Sequence, residues 1–439
     1  MSEYFCLPFS THPLRNSLYD ELHARPFQLI GTPQQISHLA FAAEPREIDE
    51  AFGLVCDLCR RYSVNQPNAE TVSYFQDFGE FAVRWERHME FYSLTFMRGA
   101  GPEGEPFEHP VIRMLPGDWM AMLPGQAIAA FHVVVAGEEI SMERDPVHRW
   151  FEGQRLIMSR PAQGKAVVCT AFRLHSDGFG RFVVQNQGVT DYQMGRLVQR
   201  VIEMETYRLL AQLSLPLAKR IAPELAEVDK ALAEMLAKVP KNGNSEGNRN
   251  LLQQLSLLSA RLETWRAETN HRFSATRAYH ELVLTRLTNI REEPMGGYMT
   301  FAEFMSRRLN PGLRTCEAVQ GWMEDLSRRI ERAGDMMRTS VNLTLQDQNK
   351  SLLASMNRRG RLQFRLQETV EGLSVAAISY YLVGLLGYLL DGLPLDALGM
   401  EKKTAVAILV LPVIFLVWWL IRRIKHRLIK EPLCEKEQE

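Results

Sequence analysis

The chain has 439 residues, with 51 basic and 52 acidic side chains and a net charge of −1. That balance argues against nucleic acid as a main partner. The length allows one or two soluble domains with sizeable cores. Six scattered cysteines (Cys6, Cys56, Cys59, Cys169, Cys316 and Cys434) read as free thiols rather than a disulfide framework.

MSEYFCLPFSTHPLRN opens without the basic start and apolar centre of a signal peptide, so the expectation is a chain that is not exported. HPLRNSLYDELHARPF predicts a short helix stopped by Pro26, ISHLAFAA a strand, and EIDEAFGLVCDLCRRYSV an amphipathic helix. FAVRWERHMEFYSLTFMR has the alternation and aromatic content of a hairpin. AIAAFHVVVAG, KAVVCTAFRLHS and GRFVVQNQG add strands, with turns at Gly137-Glu138 and Asp177-Gly178. Residues 1–188 therefore read as an α+β domain with a mostly antiparallel sheet.

From Asp191 the period becomes helical. YQMGRLVQRVIEMETYRLLAQL and APELAEVDKALAEMLAKV are amphipathic segments, KNGNSEGN reads as a polar hairpin loop, and LLQQLSLLSARLETWRAETNHRFSATRAYHELVLTRLTNI is a helix or broken helix. Pro294 with Gly296-Gly297 interrupts, TFAEFMSRRL follows, and Pro311-Gly312 interrupts again. From Leu313 no proline occurs until Pro394, so one helix of about 75 residues, ~110 Å at the standard rise, is expected, with Gly334 and Gly360 as weak points.

Two uncharged apolar runs, Gly372–Leu390 and Thr404–Ile421, close this pattern. Each gives roughly 27–29 Å of helix, the thickness of a bilayer's hydrocarbon core. Arg358, Arg359, Arg361 and Arg365 precede the first run, and Arg422, Arg423, Lys425, Arg427 and Lys430 follow the second. The connecting loop has no excess of positive charge, so both flanks are expected in the cytoplasm. Trp418 and Trp419 suit the inner interface. The expected organisation is a cytosolic α+β domain (1–188), a cytosolic helical region (189–312), a stalk helix (313–371), a first span (372–390), an external loop (391–403), a second span (404–421) and a basic cytosolic tail (422–439).

Long cytosolic helices feeding a terminal two-span hairpin resemble the CorA-type divalent-cation channels. Those are homopentamers whose first span lines the pore and ends in Gly-Met-Asn. Here Val383-Gly384-Leu385-Leu386-Gly387-Tyr388-Leu389 stands in the equivalent place: the glycine spacing is kept, while Tyr388 and Leu389 replace Met and Asn. The Asn that contacts the hydrated ion is therefore missing. Glu21 to Phe27 (ELHARPF), Arg84 to His88 (RWERH) and Glu368 to Ser374 (ETVEGLS) resemble, across the whole chain, a bacterial family of membrane-anchored proteins of unknown function.

The channel resemblance implies a homo-oligomer, a pentamer, in the bacterial inner membrane, with both termini and the soluble domain cytoplasmic. A two-span subunit offers too few helices to enclose a water path alone, so any transport reading requires self-association. Ala377, Tyr380, Gly384, Gly387 and Asp391 fall on one helical stripe, where small residues permit close packing. Ser374 and Ser379 offer hydroxyls, Tyr381 and Tyr388 aromatic rings, and Glu371 and Asp391 acidic rings at the two ends. The resemblance further implies a divalent cation as transported or regulatory ion, bound in the latter role by cytosolic acids such as Glu203, Glu205 and Glu224. Equally compatible with these residues is a packing role for the stripe and a non-conducting oligomeric scaffold whose tyrosines plug the axis.

Enzyme signals are weak, and no enzyme or resident cofactor is expected. Gly99-Ala100-Gly101-Pro102-Glu103-Gly104 has dinucleotide-fingerprint spacing, yet Glu105-Pro106 follows rather than a helix. Cys56 and Cys59 lack a second ligand pair at zinc-site spacing, and His280-Glu281 lacks the second histidine of a zinc-protease helix. The cluster of Glu21, His23, Arg25, Arg84, Glu86, Arg87 and His88 reads as a structural charge network ahead of a regulatory ligand site.

Overall fold

The computed structural model describes residues 10–15, 18–19, 26–69, 71–99, 105–140, 142, 144–238, 245–391 and 402–429. In chain order the elements are β1 (Gln34–Ala42), α1 (Pro45–Arg61), β2 (Ser73–Asp77), β3 (Ala82–Arg87), β4 (Phe91–Gly99), α2 (Gly117–Ala121), β5 (Gln126–Ala136), α3 (Arg144–Trp150), β6 (Ile157–Arg160), β7 (Ala166–Thr170) and β8 (Gly180–Asn186). There follow α4 (Asp191–Gln212), α5 (Ser214–Lys238), α6 (Ser245–Ile290), β9 (Glu293–Pro294), α7 (Phe301–Arg308), α8 (Asn310–Asp391) and α9 (Lys402–Ile429). They fall into two compact units, Met1–Asn242 with Asn250–Asp335, and Gly243–Arg249 with Met336–Glu439.

The first unit is built on a nine-stranded sheet among the described residues, ordered β2-β3-β4-β1-β5-β8-β7-β6-β9. The expected hairpin of β3 and β4 is present, in register Arg84 opposite Thr95. The sheet is antiparallel throughout except that β5 and β8 pair in parallel. Strand alternation divides the core. Ile36 and Ala40 of β1 face one cluster with Met194, Val198 and Val201 of α4 and Val283 of α6. Leu39 and Phe41 face the other, with Val55 and Leu58 of α1, Trp85 and Trp119. Trp119 sits in this apolar cluster because its indole N–H donates to the Leu54 carbonyl at 2.8 Å.

Helix starts follow local capping chemistry. Glu44 and Glu47 form a capping box before α1. Thr190 and Gln193 do the same for α4. The Thr300 hydroxyl accepts from the Glu303 N–H at the start of α7.

Three boundaries differ from the sequence expectation. Helix α5 begins at Ser214 rather than Ala222: Pro216 falls in its first turn, where no intrahelical N–H is needed, and Pro223 lies inside the helix rather than at its start. Pro311 and Gly312 start α8 instead of interrupting it, for the same reason. Ser245 to Asn248 are helical rather than loop, and buried Asn248 donates to the Ser340 hydroxyl at 3.4 Å. Strands β2, β6 and β9 were not expected. Half of the short helix expected over residues 12–27 lies outside the described residues, as does the 100–104 loop.

In the first unit, Cys316, Val319, Met323, Leu326, Ile330 and Ala333 of α8 are buried at alternating spacings of three and four. This is the period of helices packed along one another. Ion pairs of Arg220 with Glu268 and of Arg329 with Asp229 at 2.8 Å join α5 to α6 and α5 to α8.

Candidate functional site

In the second unit, the terminal part of α8 and most of α9 are long and apolar enough to cross a membrane. Only 6% and 11% of the two apolar windows is buried. A core helix of a soluble domain would be covered, so exposure on this scale points to association with a membrane. Arg422 and Arg423 lie over the rings of Trp418 and Trp419 at 5.0 and 4.9 Å, bringing cations and amphipathic rings together at one end of α9.

Burial gives each apolar helix an inner face. On α8 it falls at Ser379, and on α9 at Val413 and Val417. The candidate stripe lies elsewhere. Tyr380, Tyr381 and Tyr388 are 77%, 71% and 80% exposed, and Ala377 and Gly384 are exposed with them. A Cβ built on Gly384 or Gly387 would meet no atom within 4 Å, so both positions are open in the single chain. Tyr380 and Tyr381 stand edge to face at 5.9 Å.

The two serines differ. Ser374 donates to the Val370 carbonyl at 2.8 Å, which leaves only oxygen lone pairs for a ligand. Ser379 is buried with its hydroxyl unpartnered, off the open stripe. Glu371 is half-buried and engaged. Asp391 is the last residue of α8 rather than part of a loop, and its side chain lies outside the described residues, as do residues 392–401.

One feature was missed in the sequence. At about 100° per residue, Leu345, Leu352, Leu366 and Leu373 share the direction of Ala377, Tyr380, Gly384 and Tyr388. These four leucines are 42–75% exposed. The stripe thus begins well before the apolar window and continues into it on one helix. Seventeen polar residues between the leucines hid it from a reading based on span length, although the 3.6-residue wheel carries the signal.

The described members of the charge cluster are engaged within the first unit. Arg84 and Glu86 pair at 2.9 Å with largely buried side chains, Arg87 reaches Asp49 at 2.6 Å, and the His88 ring stacks on Phe91 at 3.9 Å. Glu21, His23 and Arg25 lie outside the described residues. His38, near Arg84 and His88, is held between the hydroxyls of Thr95 at 2.8 Å and Thr206 at 3.2 Å. Burial, with help from the Arg84 charge, pushes it down to about 3.

The acids considered for a regulatory cation are each compensated. Glu203 pairs with Arg286, Glu205 takes two 2.7 Å bonds from Arg208, and Glu224 takes one of 3.0 Å from Arg261. The described residues contain no group of three or more His, Cys, Asp or Glu placed to hold a metal ion. Cys59 is buried with its sulfur 3.5 Å from the Tyr74 hydroxyl, and burial pushes its thiol up. His280 Nε2 is 2.8 Å from Asn310 Oδ1.

Sheet, long helices and two apolar helices long enough to cross a membrane make this a mixed α+β protein. The chain belongs to the family described as Protein of unknown function (DUF3422), whose model matches residues 10–428. No curated protein matches it.

Proposed function

We propose that the chain is one subunit of a CorA-like, homo-oligomeric cation conduit of the bacterial inner membrane, with α8 facing the axis and α9 behind it. The observation that carries this reading is the open stripe of α8. Its small and aromatic residues, Ala377, Tyr380, Gly384 and Tyr388, are left uncovered by the chain's own second apolar helix. A helix that must bury such a face in a membrane does so against copies of itself. Membrane insertion gives every copy the same direction, so the stripes meet parallel and in register. The pentameric count, a divalent ion as cargo and the cytoplasmic placement of both termini come from the resemblance and the basic flanks.

Proteoliposome flux tests the proposal. Uptake of Mg²⁺, Zn²⁺, Co²⁺, Ni²⁺ or a monovalent cation down an imposed gradient is the expected result. Absence of flux for every ion, from protein shown to be a ring, would leave the non-conducting scaffold, a reading favoured by the three exposed tyrosines on the same face.

A further inference from the structure

The first unit carries a basic cleft that the conduit reading does not use. It has a volume of about 240 Å³ and is walled by Lys165, Arg196, Arg200 and Arg291, with Gln163 and Gln193 among the remaining lining residues. The wall contains no carboxylate. Among the described residues no ion pair reaches any of the four cations. The nearest acid on α4, Glu203, is committed to Arg286 and to the Gln199 amide.

The cations come from three directions. Lys165 lies in the turn between β6 and β7, Arg196 and Arg200 lie one turn apart on α4, and Arg291 follows α6. The two turns are laced together, with the Ala162 N–H donating to Ile290 O at 2.9 Å and the Gln163 N–H to Arg291 O at 3.4 Å. Ala162, Gln163 and Arg291 all adopt positive φ, between 49° and 58°. Non-glycine residues hold this conformation only where surrounding structure enforces it.

The arginines carry an unmet demand. Arg196 Nε is buried without a hydrogen-bond partner, while its guanidinium lies 4.7 Å from the centre of the Tyr192 ring. Arg200 has one Nη on the Asn289 carbonyl at 2.8 Å. Burial and the charges of Arg196, Arg286 and Arg291 together hold Arg200 below the usual arginine range. Glu203 acts on Arg200 and Glu293 stands beside Gly164, yet neither lines the cleft, and gathering four cations around a wall with no carboxylate costs free energy that a bound anion returns.

We propose that this cleft binds a phosphate group, whether of free phosphate or diphosphate or of a lipid headgroup. A single carboxylate is satisfied by one arginine, whereas a tetrahedral, multiply charged oxyanion accepts from several forks at once. The volume falls below the range of about 300–1,000 Å³ typical of drug-sized ligands, which excludes burial of a whole nucleotide.

Calorimetric titration of the full chain in phosphatidylcholine nanodiscs with sodium diphosphate tests the assignment independently of any flux. One saturable site per chain is expected, weakening with added salt. Arg196→Gln and Arg291→Gln should each lower affinity by about tenfold or more. Lys165 and Arg291 are exposed, so Lys165→Gln and Arg291→Gln keep the fold even if the half-buried Arg196 variant does not. Arg155→Gln, an exposed arginine outside the cleft, should leave affinity unchanged. Repeating the titration with phosphatidylglycerol present separates the sources. Unchanged affinity assigns the site to a free anion, and competition assigns it to a headgroup phosphate. No saturable heat, or affinity undiminished in Lys165→Gln and Arg291→Gln, would overturn the proposal.

Discussion

Arg84 donates to Glu86 at 2.9 Å along strand β3, with the two side chains only 7% and 15% exposed. Residues two apart on a strand share a face, so the RWERH pattern itself places this pair together. Removing one partner of a buried pair leaves the other charge uncompensated. Arg84→Ala should therefore cost about 3–5 kcal/mol, read as a lower denaturation midpoint. Wild-type stability in that variant would remove the structural reading of the cluster.

His38 predicts how stability varies with pH. Its folded value, about 3, lies below the ordinary 6.5, so between those limits the unfolded chain binds a proton that the native chain does not. The contribution is complete above pH 6.5 and is lost progressively as pH falls toward 3, by about 1.4 kcal/mol per unit. His132, pushed down by burial to about 4, acts in the same direction. Thermal midpoints of His38→Gln measured against pH should fall less steeply on acidification than those of wild type. Parallel curves would contradict the prediction.

Gly195 of α4 is required by close approach. A Cβ there would meet the Gln28 carbonyl oxygen at 1.9 Å, and the neighbouring Ile30 N–H donates to the Asp191 carbonyl at 3.3 Å. Gly195→Ala must push this segment off the helix and should destabilise by roughly 1–3 kcal/mol, despite alanine's better helix propensity. A chemical denaturation series decides the sign.

Gly384 predicts the opposite behaviour. Nothing in the chain stands within 4 Å of its missing Cβ. Gly384→Leu should leave unfolding of the first unit unchanged while reducing the subunit count seen by native mass spectrometry. An unchanged ring would show that first spans do not pack through this stripe.

What could be read from the residues and what could not divide along a physical line. Periodicity, capping residues and proline positions are properties of neighbouring residues, so β1, α1, the β3–β4 hairpin, α4, α6 and the two apolar helices were legible from the chain alone. Short β2, β6 and β9 gain their stability from neighbours rather than from their own pattern, and so left little trace. The open stripe was half legible, because its tyrosines and glycines lie inside an apolar run while its leucines are spread among polar residues.

By itself, the sequence determined an α+β body, a chain of long helices and a terminal pair of apolar helices, because local backbone preference and side-chain period act over a few residues. Only the tertiary structure decided the parallel pairing of β5 with β8, the partners of Glu203 and Glu205, the burial of Ser379 away from the stripe, and the gathering of Lys165, Arg196, Arg200 and Arg291 into one cleft. Charges far apart in sequence acquire partners, or lack them, only when packing sets their distances, and Coulomb energy depends on those distances and on burial.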